Sequence, residues 1–325
     1  MSETLHVTNG DIVVDLLRRA GLAPDALAWV DVLHEGPVPA GLDDHGLRRV
    51  RADFLAGADG VDAAEVRRRL EDRDRALAAG RAGEYLLWFE ADLYDQLQIA
   101  QVLAMLAELG VAPDRVGLVC IGEYPGIAHF GGLGQLEPTQ LPGLLEVATP
   151  LTAEALELGA AAWAALRAPD PAGLGRIAAS RSPELRFLGE AFDRLSREYP
   201  STRDGLSLTE RRILAATGDG AEAGVVFARL GEREARPYLG DLFCFRIMAR
   251  LAGARVPLLE LDPAGEVAAG IRLALTAAGR RVLAGQADHV ALNGLDRWVG
   301  GVHLRGPEAV WRWDEGTESI TGPAA

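Results

Sequence analysis

Short apolar runs alternate with helical segments over the first 145 residues, and this alternation restricts the fold more than any other feature of the sequence. The runs predicted as strands are Leu5–Thr8, Leu27–Leu33, Tyr85–Phe89 and Arg115–Ile121. The segments predicted as helices are 12–19 with Asp11 as cap, 47–55, 63–79 and 92–109. Strands separated by helices form mainly parallel sheets. We therefore expect an α/β fold, with a Rossmann-like ligand-binding domain over residues 1–145.

The rest of the chain has a different pattern, with helices first and a short ribbon last. Residues 146–204 are alanine-rich and are predicted as a helical connector, in which Thr152 caps one helix and another spans 184–199. Residues 205–315 begin with a Ser207/Glu210 capping box and end in a predicted hairpin of 299–304 with 309–313. This order predicts a winged-helix-like α+β domain, followed by a tail over 316–325.

Each predicted strand is followed at once by a polar or glycine-rich cluster. The clusters contain Asn9, Gly10 and Asp11; His34 and Glu35, with Asp31 just inside the strand; Glu90, Asp92, Tyr94, Asp95 and Gln96; and Gly122, Tyr124 and Gly126. In a parallel sheet all four clusters lie at the carboxyl edge, where open α/β sheets bind ligands. Taken singly, each cluster has an ordinary interpretation as a turn, a cap or a solvated helix start. Their convergence on one edge favours a binding site.

The residue types at this edge indicate distinct roles. His34, oriented by Glu35, can move protons near neutral pH. Asp11, Glu90 and Asp92 are the candidate ligands for a metal or a substrate, and we expect Asp11 and Asp92 to act with His34 in any catalysis. Specificity is then assigned to Asp95, Gln96 and Tyr124. Asn9 and Gly10 begin a helix whose amide groups can also hold an anion.

The charge distribution favours a cation at this edge. The formal charge is −14, of which −13 lies in the first 204 residues, whereas 205–315 is neutral. Crowded carboxylates repel one another and need a compensating cation. That cation is a metal, a cationic ligand, or an arginine such as Arg48, Arg49 or Arg51. No Cys/His spacing resembles a zinc site, so the metals expected are magnesium, manganese or calcium, with magnesium and manganese preferred.

Several chemistries are excluded by what the sequence lacks. All 33 basic residues are arginine, so no lysine can form a Schiff base or serve a P-loop, and pyridoxal phosphate is not supported. No G-x-G-x-x-G segment is present, so NAD is not supported either. Cys120 and Cys244 each lie inside an apolar run and are predicted to be reduced core residues.

The sequence also bears on location and partners. The start has neither a basic segment nor an apolar segment of a signal peptide, and no apolar run reaches the ~18 residues of a membrane helix. We therefore expect a cytoplasmic protein without a membrane partner. The acidic balance makes DNA a possible but not a favoured partner. The expected ligand is a small molecule or a nucleotide, and the oligomeric state stays open.

Several segments resemble a known family. His6-Val-Thr-Asn-Gly-Asp11, His34-Glu-Gly-Pro37, Trp88-Phe-Glu-Ala-Asp-Leu-Tyr-Asp-Gln96 and Phe130-Gly-Gly-Leu-Gly-Gln-Leu136 are similar to the signature segments of a bacterial domain family of unknown function. Segments near 208–214 and 296–304 resemble the C-terminal half usual in that family. The resemblance covers most of the chain. It implies no activity, so no catalytic residue can be transferred from it.

Three hypotheses about function follow from these patterns. The first is a metal-assisted hydrolase or transferase that acts on a small molecule or nucleotide at the carboxyl edge. The second is a ligand-sensing regulator whose C-terminal domain binds DNA or protein. The third is an interaction protein in which the polar loops are only structural. Buried carboxylates are costly unless they bind something, which favours the first hypothesis.

Overall fold

Two structural units make up the chain. A computed structural model describes residues 4–307 and 311–322. The first unit extends to Phe192 and includes Gly300–Val302, and the second comprises Asp193–Val299 and continues from His303.

A five-stranded sheet forms the centre of the first unit. Its strands are β1 (Thr4–Thr8), β2 (Leu27–Ala28), β3 (Glu84–Glu90), β4 (Val116–Ile121) and β5 (Thr149–Pro150). Their order across the sheet is β2-β1-β3-β4-β5, and every neighbouring pair is parallel except β4 with β5. Val7 pairs with Leu87, and Leu87 pairs with Leu118. The predicted α/β architecture with a mainly parallel sheet is therefore confirmed.

Within the described residues, seven α-helices accompany this sheet. They are α1 (Asp11–Arg19), α2 (Asp44–Asp59), α3 (Ala63–Ala79), α4 (Leu93–Glu108), α5 (Leu141–Leu144), α6 (Ala153–Arg167) and α7 (Ala172–Ala178). Trp88 and Val119 of the sheet share a buried apolar cluster with Leu17 of α1. Burial of such side chains contributes roughly 1.5–3 kcal/mol each and anchors the helix to the sheet. Helix α4 is buried along most of its length and packs against α6.

The prediction for the second strand is wrong in its extent. The apolar run 27–33 suggests seven strand residues, but β2 contains only Leu27 and Ala28. Beyond this point the chain turns around the buried guanidinium of Arg51, which binds the side chain of Asp31 and the carbonyl oxygen of Val32. These bonds replace the hydrogen bonds that a longer strand would make.

The C-terminal part of the chain is helical with small sheets. Its elements are α8 (Leu188–Ser196), α9 (Leu208–Thr217), β6 (Ala221–Glu222), α10 (Ala223–Arg233), α11 (Asp241–Ala252), β7 (Leu259–Asp262), β8 (Arg272–Leu275), α12 (Ala277–Leu283), α13 (His289–Asn293), β9 (Leu295–Val299), β10 (Val302–Gly306), β11 (Arg312–Asp314) and β12 (Ser319–Thr321). An antiparallel sheet in the order β6-β8-β7 shares one apolar core with α9, α10 and α11. The predicted Ser207/Glu210 capping box is confirmed at the start of α9.

The predicted closing hairpin is wrong in its pairing. Strand β9 pairs with β10, and β11 pairs with β12, so residues 299–304 do not pair with 311–313. The Gly300-Gly301 pair connects β9 to β10, and Gly300 has a φ of 56°, which suits a two-residue hairpin loop. Residues 309 and 310 of the predicted hairpin lie outside the described residues.

Both cysteines are free, as predicted, and Cys244 lies in the core of the second unit. Over the described ranges, the helices are all too short or too polar to cross a lipid bilayer.

Candidate functional site at the carboxyl edge

The strand order reverses between β1 and β3. From β1 the chain crosses to β2 on one side, whereas β3 and β4 lie on the other side. In open α/β sheets, ligands bind outside the carboxyl ends of the strands at such a reversal. Asn9 directly follows β1, and Glu90 is the last residue of β3. The two clusters predicted from the sequence therefore meet at the favoured position of the sheet.

Asn9 connects two buried carboxylates across this edge. Its Nδ2 atom donates to Oε1 of Glu90 at 3.0 Å and to Oδ2 of Asp95 at 2.9 Å. Glu90 is 8% exposed and Asp95 is fully buried. One amide group thus holds two acidic side chains that come from β3 and α4.

The side chains at the start of α4 fix the turn that follows β3. Asp92 caps the helix by accepting from the backbone N–H of Asp95 at 3.0 Å. Oδ2 of Asp95 accepts from the backbone N–H of Glu90 at 2.5 Å, and Nε2 of Gln96 donates to the carbonyl oxygen of Glu90 at 2.7 Å. Cys120 of β4 donates to the same carbonyl oxygen at 3.3 Å. Gln96 therefore has a structural role, whereas the sequence suggests specificity.

A glycine-rich loop packs directly on Glu90. The backbone N–H of Leu133 donates to Oε1 of Glu90 at 2.6 Å. The preceding residue, Gly132, is buried, has a φ of 140°, and leaves no room for a Cβ atom beside the Glu90 carboxylate. Only glycine adopts this conformation readily, so Gly132 permits the close approach.

Burial and mutual repulsion raise the pKa values of these acids. For Asp95 the main cause is desolvation, followed by the negative charges of Asp92 and Glu90, and its pKa lies well above the ordinary range. Burial also raises the pKa of Glu90, although the hydrogen bonds from Leu133 and Asn9 partly oppose this effect. The site therefore favours protons, or a cation that replaces them.

Three carboxylates are close enough together to coordinate one metal ion. Oxygen atoms of Glu90, Asp92 and Asp95 all lie within 4.8 Å of one another. Hard cations such as Mg²⁺ and Mn²⁺ prefer oxygen ligands of this kind. Asp11, which the sequence suggests as a third ligand, is exposed in the first turn of α1 and does not belong to this group. Asp95 takes the place that the sequence assigns to Asp11.

Tyr94 connects the cluster that contains His34 and Asp31 to the acids at the start of α4. The His34 ring packs edge to face against the Tyr94 ring, with centroids 6.0 Å apart. Burial raises the pKa of Tyr94, and the charges of Asp95 and Asp31 raise it further. The cluster after β2 and the cluster after β3 therefore come together, as predicted.

Arg51 determines the shape of the loop that carries His34. Its guanidinium binds the Asp31 carboxylate through Nη2 at 2.6 Å and through Nε at 3.1 Å. It also donates to the carbonyl oxygens of Val32, Glu35 and Pro37. Asp31 therefore has an internal cation, which accounts for its burial. Of the three arginines that the charge argument suggests, Arg51 fills this role.

The remaining predicted residues have local structural contacts. Gly10 is the N-cap of α1, and its N–H and carbonyl groups lie within 3.3 Å of the Thr8 hydroxyl. Tyr124 forms an antiparallel bridge to Ile127 and packs 6.4 Å from the Phe130 ring. Gly122 begins this loop, and Gly126 turns it with a φ of 85°. The backbone of Glu35 is held by Arg51, which donates to its carbonyl oxygen.

Two groups that contact Glu90, Gly132 and the N–H group of Leu133, are not among the individual site residues predicted from the sequence. The signal was present as a run of glycines after β4. It could not show that the run folds back onto Glu90, more than forty residues earlier.

Comparisons with known proteins do not identify a family. No family model matches the chain, and no curated protein matches it. Among solved structures, an Aeropyrum pernix ORC1 protein in complex with DNA is 18% identical, with 84% of this chain and 90% of that chain covered at a TM-score of 0.19. A similarity at this level carries no argument about function.

Proposed function

We propose that this protein binds a small molecule or a nucleotide, together with a divalent cation, at the carboxyl edge of its N-terminal sheet. The observation that carries the proposal is the group of three carboxylates within 4.8 Å at the reversal of strand order. We regard the sheet as Rossmann-like, and in such folds this edge is the ligand-binding edge.

The chemistry of the acids supports Mg²⁺ or Mn²⁺ in this role. The pKa of Asp95 is raised by burial and by neighbouring negative charge, and a dication would remove both the repulsion and the bound proton. Asp92 is half-buried and lies nearest to solvent among the three acids, which suits an ion that also contacts a ligand. Phosphate oxygens are frequent partners of Mg²⁺ held by one or two carboxylates.

For the reaction, we propose a metal-assisted hydrolase or transferase. His34 is the acid–base candidate, because an imidazole can take up and release a proton near neutral pH. Its ring packs against Tyr94, and Tyr94 lies close enough to Asp95 for that charge to raise the pKa of Tyr94. Glu35 is the partner that the sequence suggests for His34. Asp11 lies at the start of α1, where an acidic side chain also suits the helix dipole.

Titration with Mn²⁺ tests the cation site directly. Asp92→Asn keeps the helix cap, because asparagine caps as well as aspartate, but it removes one charge from the cluster. We expect the Mn²⁺ affinity measured by isothermal titration calorimetry to fall by at least about tenfold. Asp15→Asn changes an exposed acid on α1 and should leave the affinity unchanged. Equal affinity in wild type and Asp92→Asn would remove the metal from the proposal.

The pH dependence provides a second test of the same site. Protons compete with the cation for Asp95 and Glu90, so the Mn²⁺ affinity should rise with pH. Without metal, the stability of the fold should instead fall as the pH rises. The pKa of Asp95 is raised in the folded state, so stability is lost as the pH rises through that pKa. Thermal unfolding with EDTA and with Mn²⁺ over a pH series measures both trends. If the melting temperatures with EDTA and with Mn²⁺ change in the same way with pH, this result argues against the cation site.

We also propose a second role, docking by a winged-helix-like region over 208–275. This range is narrower than the 205–315 predicted from the sequence, because here the wing is formed by β7 and β8 and not by the C-terminal hairpin. The element order α9-β6-α10-α11-β7-β8 and the sheet order β6-β8-β7 are the observations that favour this fold. Helix α11 would be the docking helix, and it begins with the exposed residues Asp241 and Leu242. The loop between β7 and β8 contains Glu266 and lacks arginine, which favours a protein partner over DNA.

An electrophoretic shift assay at low salt tests the alternative that this region binds DNA. We expect no shift with duplex DNA, because the region 208–275 has no net charge and would neutralise few phosphates. A shift that weakens steeply with added salt would instead establish DNA binding.

A further inference from the structure

A cavity lies at the edge of the N-terminal sheet opposite the carboxylate cluster. It has a volume of about 830 Å³ and is formed where the chain enters β1, β2 and β3. Thr4, Leu5 and His6 begin β1, residues 22–25 precede β2, and residues 80–83 precede β3. This is the amino edge, so the cavity is separate from the carboxylate cluster at the carboxyl edge.

The walls of this cavity are mostly aliphatic. They include Leu5, Leu22, Ala23, Pro24, Ala76 and Ala79. Sites for small molecules in proteins are of this size and combine apolar walls with a few polar groups. The acidic group on its wall is Asp25, which is exposed. The lining therefore favours an uncharged ligand over an anion.

His6 lines the cavity, and its hydrogen bond with Trp88 fixes which ring nitrogen carries the hydrogen. Nε1 of Trp88 lies 3.0 Å from Nδ1 of His6, and the planes of the two rings differ by 17°. An indole N–H can only donate, so Nδ1 is the acceptor and the neutral imidazole carries its hydrogen on Nε2. Burial lowers the pKa of His6, which keeps the ring neutral at physiological pH.

The Nε2–H group of His6 is available to a ligand. Across residues 4–307 and 311–322, the hydrogen bond of the His6 ring is the one from Trp88, and His6 lines the cavity. A fixed N–H donor in an aliphatic wall selects for an acceptor on an otherwise apolar molecule. The hydrogen bond from Trp88 holds the imidazole in place before any ligand arrives.

We propose that this amino-edge cavity binds a neutral, flat, mainly apolar molecule with one carbonyl acceptor, which receives a hydrogen bond from Nε2 of His6. The apolar walls supply contact area, and the imidazole sets the orientation. This site is independent of the cation site, because it uses different residues at the other end of the strands.

Binding of prodan, an uncharged naphthyl ketone, tests the proposal on the full chain. Its emission shifts to the blue in apolar surroundings and to the red when the carbonyl accepts a hydrogen bond. We expect saturable binding to the wild type. Ala79→Trp fills the cavity from an exposed helix position and should weaken binding at least about tenfold. The matched control Arg68→Trp changes another exposed position of α3 outside the cavity and should bind normally.

The hydrogen bond is tested at His6 itself. His6→Gln can still accept from Trp88 and donate to the ketone, so emission should stay near that of wild type. His6→Leu cannot donate, so the bound emission should shift to the blue and binding should weaken by about tenfold. Absence of saturable binding to the wild type, equal affinity in Ala79→Trp, or identical emission of His6→Leu would each overturn the proposal.

Discussion

Replacing Arg51 by methionine should cost about 3–5 kcal/mol of unfolding free energy, the range for a buried ion pair that loses one partner. The Arg51 and Asp31 side chains are 2% and 1% exposed. Without the guanidinium, the Asp31 carboxylate stays buried without its cation, and three carbonyl oxygens of the 32–37 loop lose a donor. Urea denaturation of the full chain measures the loss for the N-terminal unit.

Three further variants separate the pair from a general loss of charge. Arg49→Met changes an exposed neighbour on α2 and should alter stability by less than about 0.5 kcal/mol. Arg51→Lys should remain strongly destabilised, since an ammonium cannot reproduce the two-atom contact with Asp31. Asp31→Leu combined with Arg51→Met should be more stable than Arg51→Met alone, because no lone buried charge remains. If the double variant is worse, the bonds to the carbonyl oxygens matter more than the ion pair.

The same variant bears on the candidate acid–base group. Arg51 donates to the carbonyl oxygens on both sides of the loop segment that contains His34. Loss of Arg51 therefore releases the segment that holds the His34 ring against Tyr94. The buried arginine is a positioning residue for the site as well as a stabilising one.

The sheet was predictable because its signal is local. Strands β1, β3 and β4 appear in the sequence as runs of four to seven residues, and the intervening helices carry their own caps, such as Asp92 before α4. A parallel sheet then brings the ends of these strands together without any further information. The meeting of Asn9 with Glu90 follows from this reasoning alone.

The parts that could not be predicted depend on partners distant in sequence. The end of β2 is set by Arg51, which lies 20 residues beyond Asp31. The antiparallel strand β5 has only two residues, one of which is Pro150, so it gives no pattern. The exchange of Asp11 for Asp95 in the acidic cluster depends on the direction of side chains from α1 and α4, which spacing along the chain does not reveal.

Gly132→Ala should lower both stability and cation affinity, and it connects the fold to the proposed site. A Cβ atom at this position would clash with the Glu90 carboxylate, and a φ of 140° is costly for alanine. Overpacking and backbone strain each cost about 1–3 kcal/mol, so we expect a loss of about 2–5 kcal/mol in urea denaturation. Gly131→Ala is the matched control, since its Cβ would meet only the flexible end of Gln135 at 3.2 Å.

The effect on the cation follows from the hydrogen bond that the loop provides. The N–H group of Leu133 lowers the pKa of Glu90 against the effect of burial. When the methyl group introduced by Gly132→Ala pushes this loop away, the pKa of Glu90 should rise further, and protons will compete more strongly with Mn²⁺. The pH at which Mn²⁺ binds should therefore move upward in Gly132→Ala and stay constant in Gly131→Ala. A stability loss with an unchanged pH profile would mean that the loop supports the fold without tuning Glu90, and that the carboxylate cluster binds its ion independently of this contact.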